Sequence, residues 1–182
     1  MIALEPQERI YLLKRRHQII LKLRLAPFVF LLSLLFLAIL FLFFLKFSLP
    51  QILLEQFPRI STVKLNFFFA FLFSLILPVV WSAIFFEITK YYLTYWVITN
   101  QRIIEVKLIG LFNVEYSSIE LEKIQDIKIS IVGPLPSFFR FGNLEIETAG
   151  VKGEFVLDQI GDPELVKQII FEAKLDYQKT KT

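Results

Sequence analysis

Two long stretches of the chain carry no charged side chain, and the remainder alternates on a much shorter scale. Residues 25–45, LAPFVFLLSLLFLAILFLFFL, are uncharged between Arg24 and Lys46, and residues 65–86, LNFFFAFLFSLILPVVWSAIFF, are uncharged between Lys64 and Glu87. At about 1.5 Å per residue the first makes a helix of about 31 Å, the thickness of a bilayer's hydrocarbon core. Both are apolar all round, which suits lipid on every side rather than the single stripe of a helix lying on a soluble core. The pattern predicts transmembrane helices over 25–45 and 65–86 with an extracytoplasmic loop over 46–64. The first stretch is too long for a signal-peptide core, and LKFSLPQ after it offers no small-residue cleavage pattern.

Before the first stretch, Ile10, Leu13, His17 and Ile20 fall at i, i+3, i+7 and i+10, so residues 1–24 read as an amphipathic helix on the cytoplasmic side. After Glu87 the period drops to two. Strands are predicted over Tyr91–Ile98, Arg102–Ile109, Asn113–Leu121, Ile124–Ile131, around Leu144–Thr148 and over Glu154–Ile160. The first residues of Tyr91–Ile98 serve equally as an interfacial aromatic belt for the second span. Asp162 as N-cap and Pro163 at the first helical position open a closing helix, with Val166, Ile169, Ile170 and Ala173 on one stripe. A β domain over 87–176 and a frayed tail over 177–182 complete the division.

Charge adds orientation. Residues 1–24 hold six basic side chains against two acidic, residues 46–64 three against one, and residues 87–182 eleven against fourteen, which together give the net charge of +3. The excess of Lys and Arg before the first span puts the N-terminus in the cytoplasm, and two spans return the C-terminal domain there. The acidic balance of that domain speaks against nucleic acid as a partner. Neither span contains an ionisable residue, which argues against a pump or coupled transporter.

Candidate chemistry is sparse. With no cysteine there is neither a thiol nucleophile nor a thiolate metal site, and the single histidine, His17, beside three cations reads as a packing or interfacial residue. None of the nucleophile-elbow, zinc-protease, phosphate-loop or dinucleotide motifs occurs. No catalytic residue, metal site, cofactor or small-molecule substrate is expected, and the chain reads as a non-enzyme.

Six or seven antiparallel strands closed by one helix is the pleckstrin-homology-like plan. The residues W-V-I-T-N-Q-R-I-I at 96–104, the glycine at 110, I-Q-D-I at 124–127, F-G-N-L-E-I at 141–146, T-A-G at 148–150 and the D-P-E that opens the last helix resemble the bacterial membrane-anchored PH-domain family. The resemblance implies an α+β membrane protein, a two-helix transmembrane hairpin followed by a PH-like antiparallel β-barrel or sandwich with a C-terminal helix, in the bacterial cytoplasmic membrane with both termini inside.

Within that plan Thr99 and Asn100 suit a tight turn, with Asn tolerating the left-handed region, and Gly110 and Gly142 suit places where a Cβ would clash. Arg102 either binds an anion or bonds loop carbonyls or a nearby carboxylate. The segment Ile131–Phe141, IVGPLPSFFRF, is broken by two prolines and either plugs the end of the barrel or presents Phe138, Phe139, Arg140 and Phe141 to lipid, a second copy or a partner. The expected function is self-assembly or binding of a protein partner at the inner membrane face. Lipid binding or sensing, and service as an accessory subunit of a transport complex, stand as alternatives.

Overall fold

The computed structural model describes residues 4–5, 8–44, 65–110, 113–148 and 155–181. The predicted loop 46–64 and the turn 149–153 lie outside the described residues. The chain forms two units, one of residues 22–87 and one that combines residues 1–21 with 88–182.

The first unit is helical. Helix α1 runs Gln18–Phe44 and α2 runs Leu65–Leu93, so both helices begin or end in the other unit. The stretches Gln18–Leu42 and Phe67–Leu93 are long and apolar enough to cross a membrane, and only 6% of each one's most apolar window is buried, unlike the core helix of a soluble protein. The hydroxyls of Ser33, Ser74 and Ser82 donate to the carbonyls of Phe30, Phe71 and Pro78 one turn back, so these polar groups are satisfied locally. Arg24 and Glu87, which bound the uncharged runs, pair at 3.6 Å.

The second unit holds two antiparallel sheets. Strands β1 (Ile10–Arg15), β2 (Tyr95–Thr99), β3 (Arg102–Ile109) and β4 (Asn113–Glu120) form one in that order. Strands β5 (Ile124–Ser130), β6 (Phe141–Thr148) and β7 (Phe155–Gly161) form the other. A short helix α3, Pro134–Phe139, joins β5 to β6, and helix α4, Pro163–Lys181, closes the unit.

The main correction concerns the N-terminus. Residues 10–15 are a strand and not the middle of an amphipathic helix, and the first helix begins only at Gln18. The supposed apolar stripe does not exist as a face: Ile10 and Leu13 are about half exposed, whereas Ile20 is buried. Pairing with β2 overrides the helical spacing, because β2 would otherwise leave the backbone groups of an almost wholly buried strand without partners. Arg15 lies opposite Tyr95 and Leu13 opposite Val97. The PH-like unit is therefore not the contiguous block 87–176, since it takes its first strand from before α1. Two smaller corrections follow. Tyr91 to Leu93 continue α2, as the belt reading has it, and the helix expected to fray at Tyr177 extends to Lys181.

The core has a direct sequence cause. Alternate positions Trp96 and Ile98 of β2, Ile103 of β3, Leu144 and Ile146 of β6 and Leu157 of β7 are sealed from solvent, and Val166, Ile170 and Ala173 of α4 close over them. Ile169 is only partly buried at the edge of that stripe. Burying side chains of this size stabilises the unit by about 1.5–3 kcal/mol each. Tyr11 of β1 donates to Asp176 of α4 at 2.8 Å, which ties the N-terminal strand to the closing helix as well as to the sheet.

Candidate binding surfaces

Strand direction gives the β unit two ends. β1 and β2 meet the helices at Arg15 and Tyr95, so this is the proximal end. It also carries the end of β3, the α3 connection, the start of β6 and the β7–α4 corner. The distal end carries the β2–β3 turn, the β4–β5 connection, the end of β6 and the start of β7.

At the distal end, Thr99 is fully buried and its hydroxyl accepts from the backbone N–H groups of Gln101 and Arg102 at 3.2 and 3.0 Å. Its oxygen lies 2.8 Å from both Glu8 Oε1 and the Arg102 carbonyl oxygen, which compete for its single proton. Arg102 meets Glu8 with two parallel bonds, Nε to Oε1 and Nη2 to Oε2, each 2.9 Å, and the Glu8 side chain has no exposed surface. Hydrogen bonding from Arg102 outweighs the opposing effect of burial and holds the Glu8 carboxyl at about 2, well below its ordinary 4.5. Asn100 accepts from Arg9 N–H at 2.8 Å through its side chain and donates to the Arg9 carbonyl through its own N–H at 3.0 Å. The expected tolerance of Asn for the left-handed region is not used, because Asn100 does not take a positive φ. The turn motif is a clamp on the segment leading into β1.

Next to the clamp lies a cleft of about 510 Å³, lined among others by Gln101, Arg102, Ser117, Ser118, Lys123 and Tyr177. Arg102 and Lys123 thus share a wall, but Lys123 pairs with Glu120 at 3.0 Å and Arg102 with Glu8. The cleft follows β4, whose second edge pairs with no strand among the described residues.

The other end is different. Phe138, Phe139, Arg140 and Phe141 do not act together. Phe141 is buried and stacks on His17, with ring centroids 5.4 Å apart. Phe138 is 81% exposed and Phe139 lies edge-on against it at 4.9 Å. Arg140 is exposed and takes φ 52° at the C-terminus of α3, where its N–H bonds the Pro136 carbonyl and its own carbonyl accepts from Asp162. Within the segment Phe141 is buried, whereas Ile131, Val132, Leu135, Phe138 and Phe139 are exposed. His17 is a packing residue, as its neighbours in the sequence suggest.

Gly142 answers to crowding, since a Cβ there would come within 2.8 Å of the Ser130 carbonyl. Gly110 does not. It has open space around it and φ +68°, so backbone conformation and not a clash selects glycine. Sequence reasoning misses Glu8, because it places that residue in a helix, and it misses Gly161, where a Cβ would come within 2.9 Å of the His17 ring. No group of three or more metal-ligating side chains occurs among the described residues.

Two antiparallel sheets, of four and three strands, packed under a C-terminal helix define a PH-like module. The chain matches the bacterial PH domain family over residues 21–174 and belongs to that family. It is similar to a crystal structure of a DUF1696-family protein with a pleckstrin-homology domain from Shewanella loihica PV-4, at 21% identity and a TM-score of 0.38 over 44% of this chain and 70% of that one. A pleckstrin homology domain from Shewanella amazonensis SB2B is similar at 21% identity and a TM-score of 0.35, over 42% of this chain and 63% of that one. No curated protein matches.

Proposed function

We propose that the chain is a non-enzymatic module held at the bacterial cytoplasmic membrane by α1 and α2, with both termini in the cytoplasm, and that the distal cleft binds protein, either a second copy or another membrane component. The observation that carries the protein reading is the pairing of the cleft's cations. A phosphorylated headgroup site needs several cations free to converge on one anion, and here the Arg102 fork is directed at Glu8 while Lys123 meets Glu120. A polar wall beside an unpaired strand edge suits an extended segment of protein, which gains main-chain bonds along β4 and hydroxyl contacts from Ser117 and Ser118. Tethering supports weak contacts of this kind, because confinement to a membrane raises the effective concentration of neighbouring proteins.

The test is a photo-crosslinking group at Ser118 in the full chain, activated in intact membranes and followed by mass analysis. Protein adducts are expected, and their identity separates self-assembly from a distinct partner. Tight, saturable binding of anionic vesicles that Arg102→Ala abolishes, without protein adducts at Ser118, would replace this reading with the lipid-binding one.

A further inference from the structure

The two most exposed apolar side chains of the β unit among the described residues, Phe138 and Val132, lie at the end where the two helices join it. The β5–β6 connection exposes Ile131, Val132, Leu135, Phe138 and Phe139, with Val132 and Phe138 about four-fifths open to solvent. Ile109, the last residue of β3, is exposed at the same end. By contrast, the described distal connections, Asn100–Gln101 and Leu121–Lys123, expose no large apolar side chain, and Leu121 is buried. The most open apolar residues at the distal end, Ile10 on β1 and Leu175 on α4, stand on regular elements rather than in a connection.

Strand register places the patch at the proximal end. Phe141, two residues beyond the end of α3, stacks on His17, and α1 begins at the residue after His17, Gln18. His17 N–H bonds the Gln159 carbonyl, Arg16 bridges to Ile160, and Tyr91 near the end of α2 donates to the Arg16 carbonyl. The junction of both helices with the β unit and the anchor of the apolar connection are therefore one cluster of contacts.

That cluster is built stiffly. The non-glycine residues with positive φ among the described residues, Arg140, Gln159 and Asp162, all lie in it. So do the buried side-chain atoms without a bonding partner among the described residues, Arg16 Nε, Thr94 Oγ1 and Gln159 Oε1. Left-handed backbone at non-glycine positions costs roughly 1–3 kcal/mol each and persists where surrounding structure enforces it. The connection itself ends at left-handed Arg140, whose N–H bonds the Pro136 carbonyl and whose carbonyl accepts from Asp162, so its C-terminal end is tied to the β7–α4 corner.

We propose that this proximal patch, centred on Leu135, Phe138 and Phe139, sits in the interfacial layer of the bilayer, so that the β unit rests on the membrane by a third contact besides its two helices. The proposal rests on the reading that α1 and α2 span the membrane. Aromatic and aliphatic side chains beside a cation are the composition that interfacial lipid accepts, and exposed Arg140 next to Phe139 is placed to meet headgroup phosphates. Asp162 and Glu164 at the same corner are exposed acids, so the contact is apolar insertion first and charge attraction second.

The chain has no cysteine, so single labels can be introduced cleanly. Full-length Phe138→Cys, Glu122→Cys and Leu34→Cys variants, each carrying an environment-sensitive fluorophore, are reconstituted in phosphatidylcholine vesicles containing doxyl-labelled lipid. The expected result is deep quenching at position 34, shallow quenching at 138 several-fold above that at 122, and a blue-shifted emission at 138. Quenching at 34 with equal, weak quenching at 138 and 122 would overturn the insertion while leaving the tether intact. No quenching at 34 would overturn the tether and the insertion together. Copy-to-copy crosslinking through position 138 without lipid quenching would reassign the patch to a protein interface and overturn the proposal.

Discussion

The two ends of the β unit treat exposed chemistry in opposite ways. At the distal end, Glu8, Thr99, Asn100 and Arg102 satisfy one another so fully that a buried carboxylate stays ionised, and the turn they form shows solvent only polar groups. At the proximal end, left-handed backbone and buried polar atoms without a partner among the described residues accompany phenylalanines that face outward. Both arrangements order a connection, but only the first does so with its polar groups internally satisfied. The difference indicates that the proximal end is shaped for something outside the β unit.

The largest effects should come from the core that both ends share. Val166→Asp puts a charge where no solvent reaches and should cost about 3–5 kcal/mol, enough to remove the cooperative melt of the full chain in detergent followed by Trp96 emission in a Trp81→Phe background. Ile169→Asp at the partly buried edge should leave a melt at lower temperature. Equal loss in both variants would mean that α4 packs differently from the arrangement described.

The distal clamp comes next. The Glu8 carboxyl lies at about 2 in the folded chain against an ordinary 4.5, so its contribution is complete above the ordinary value and disappears as pH falls through that interval toward 2. Its size is on the order of 3 kcal/mol, because each tenfold change in proton affinity corresponds to about 1.4 kcal/mol. Arg102 stays charged throughout and adds nothing to this slope. Melting temperature should therefore drop between pH 4.5 and 2, and Glu8→Gln should start lower and lose that part of the pH dependence. A slope unchanged by Glu8→Gln would assign the acid sensitivity to other carboxylates.

The smallest effect on stability should be at the proximal patch. Phe138→Ser removes a side chain that packs mainly on Phe139 and should shift folding by no more than about 0.5 kcal/mol, the range of ordinary surface substitutions. A loss of several kcal/mol would make Phe138 part of the core and erase the contrast between the ends.

Much of this architecture is legible in the sequence. The uncharged runs over 25–45 and 65–86 are helical wherever described, and β3 keeps its predicted limits of Arg102 and Ile109, because in both cases the local pattern and the final environment agree. Arg102 bonding a nearby carboxylate is one of the readings its sequence allows, but the identity of that carboxylate is hidden. Glu8 lies 94 residues away, and its approach depends on a strand pairing that no local period announces. The same cause misplaces residues 10–15, where spacing at i, i+3 and i+7 coexists with an alternation and only β2 decides between them. In the segment 131–141, the prolines rule out a regular strand, yet nothing local says that Phe141 turns inward and Phe138 outward; contact with His17 decides it.

The account depends above all on β1 pairing with β2, because that pairing unites the two flanks of the helices and gives the β unit its ends. Leu13 lies directly opposite Val97, and both positions face the same side of the sheet, within the reach of a disulfide between antiparallel strands. A full-length Leu13→Cys, Val97→Cys double variant, oxidised mildly in the membrane, should form an intramolecular disulfide rapidly and quantitatively. The control Leu13→Cys, Ile98→Cys pair, which places the second thiol on the opposite face, should not. Failure of the first pair to close, or equal closure of both, would contradict a strand at residues 10–15 and with it the two-ended unit on which the functional reading stands.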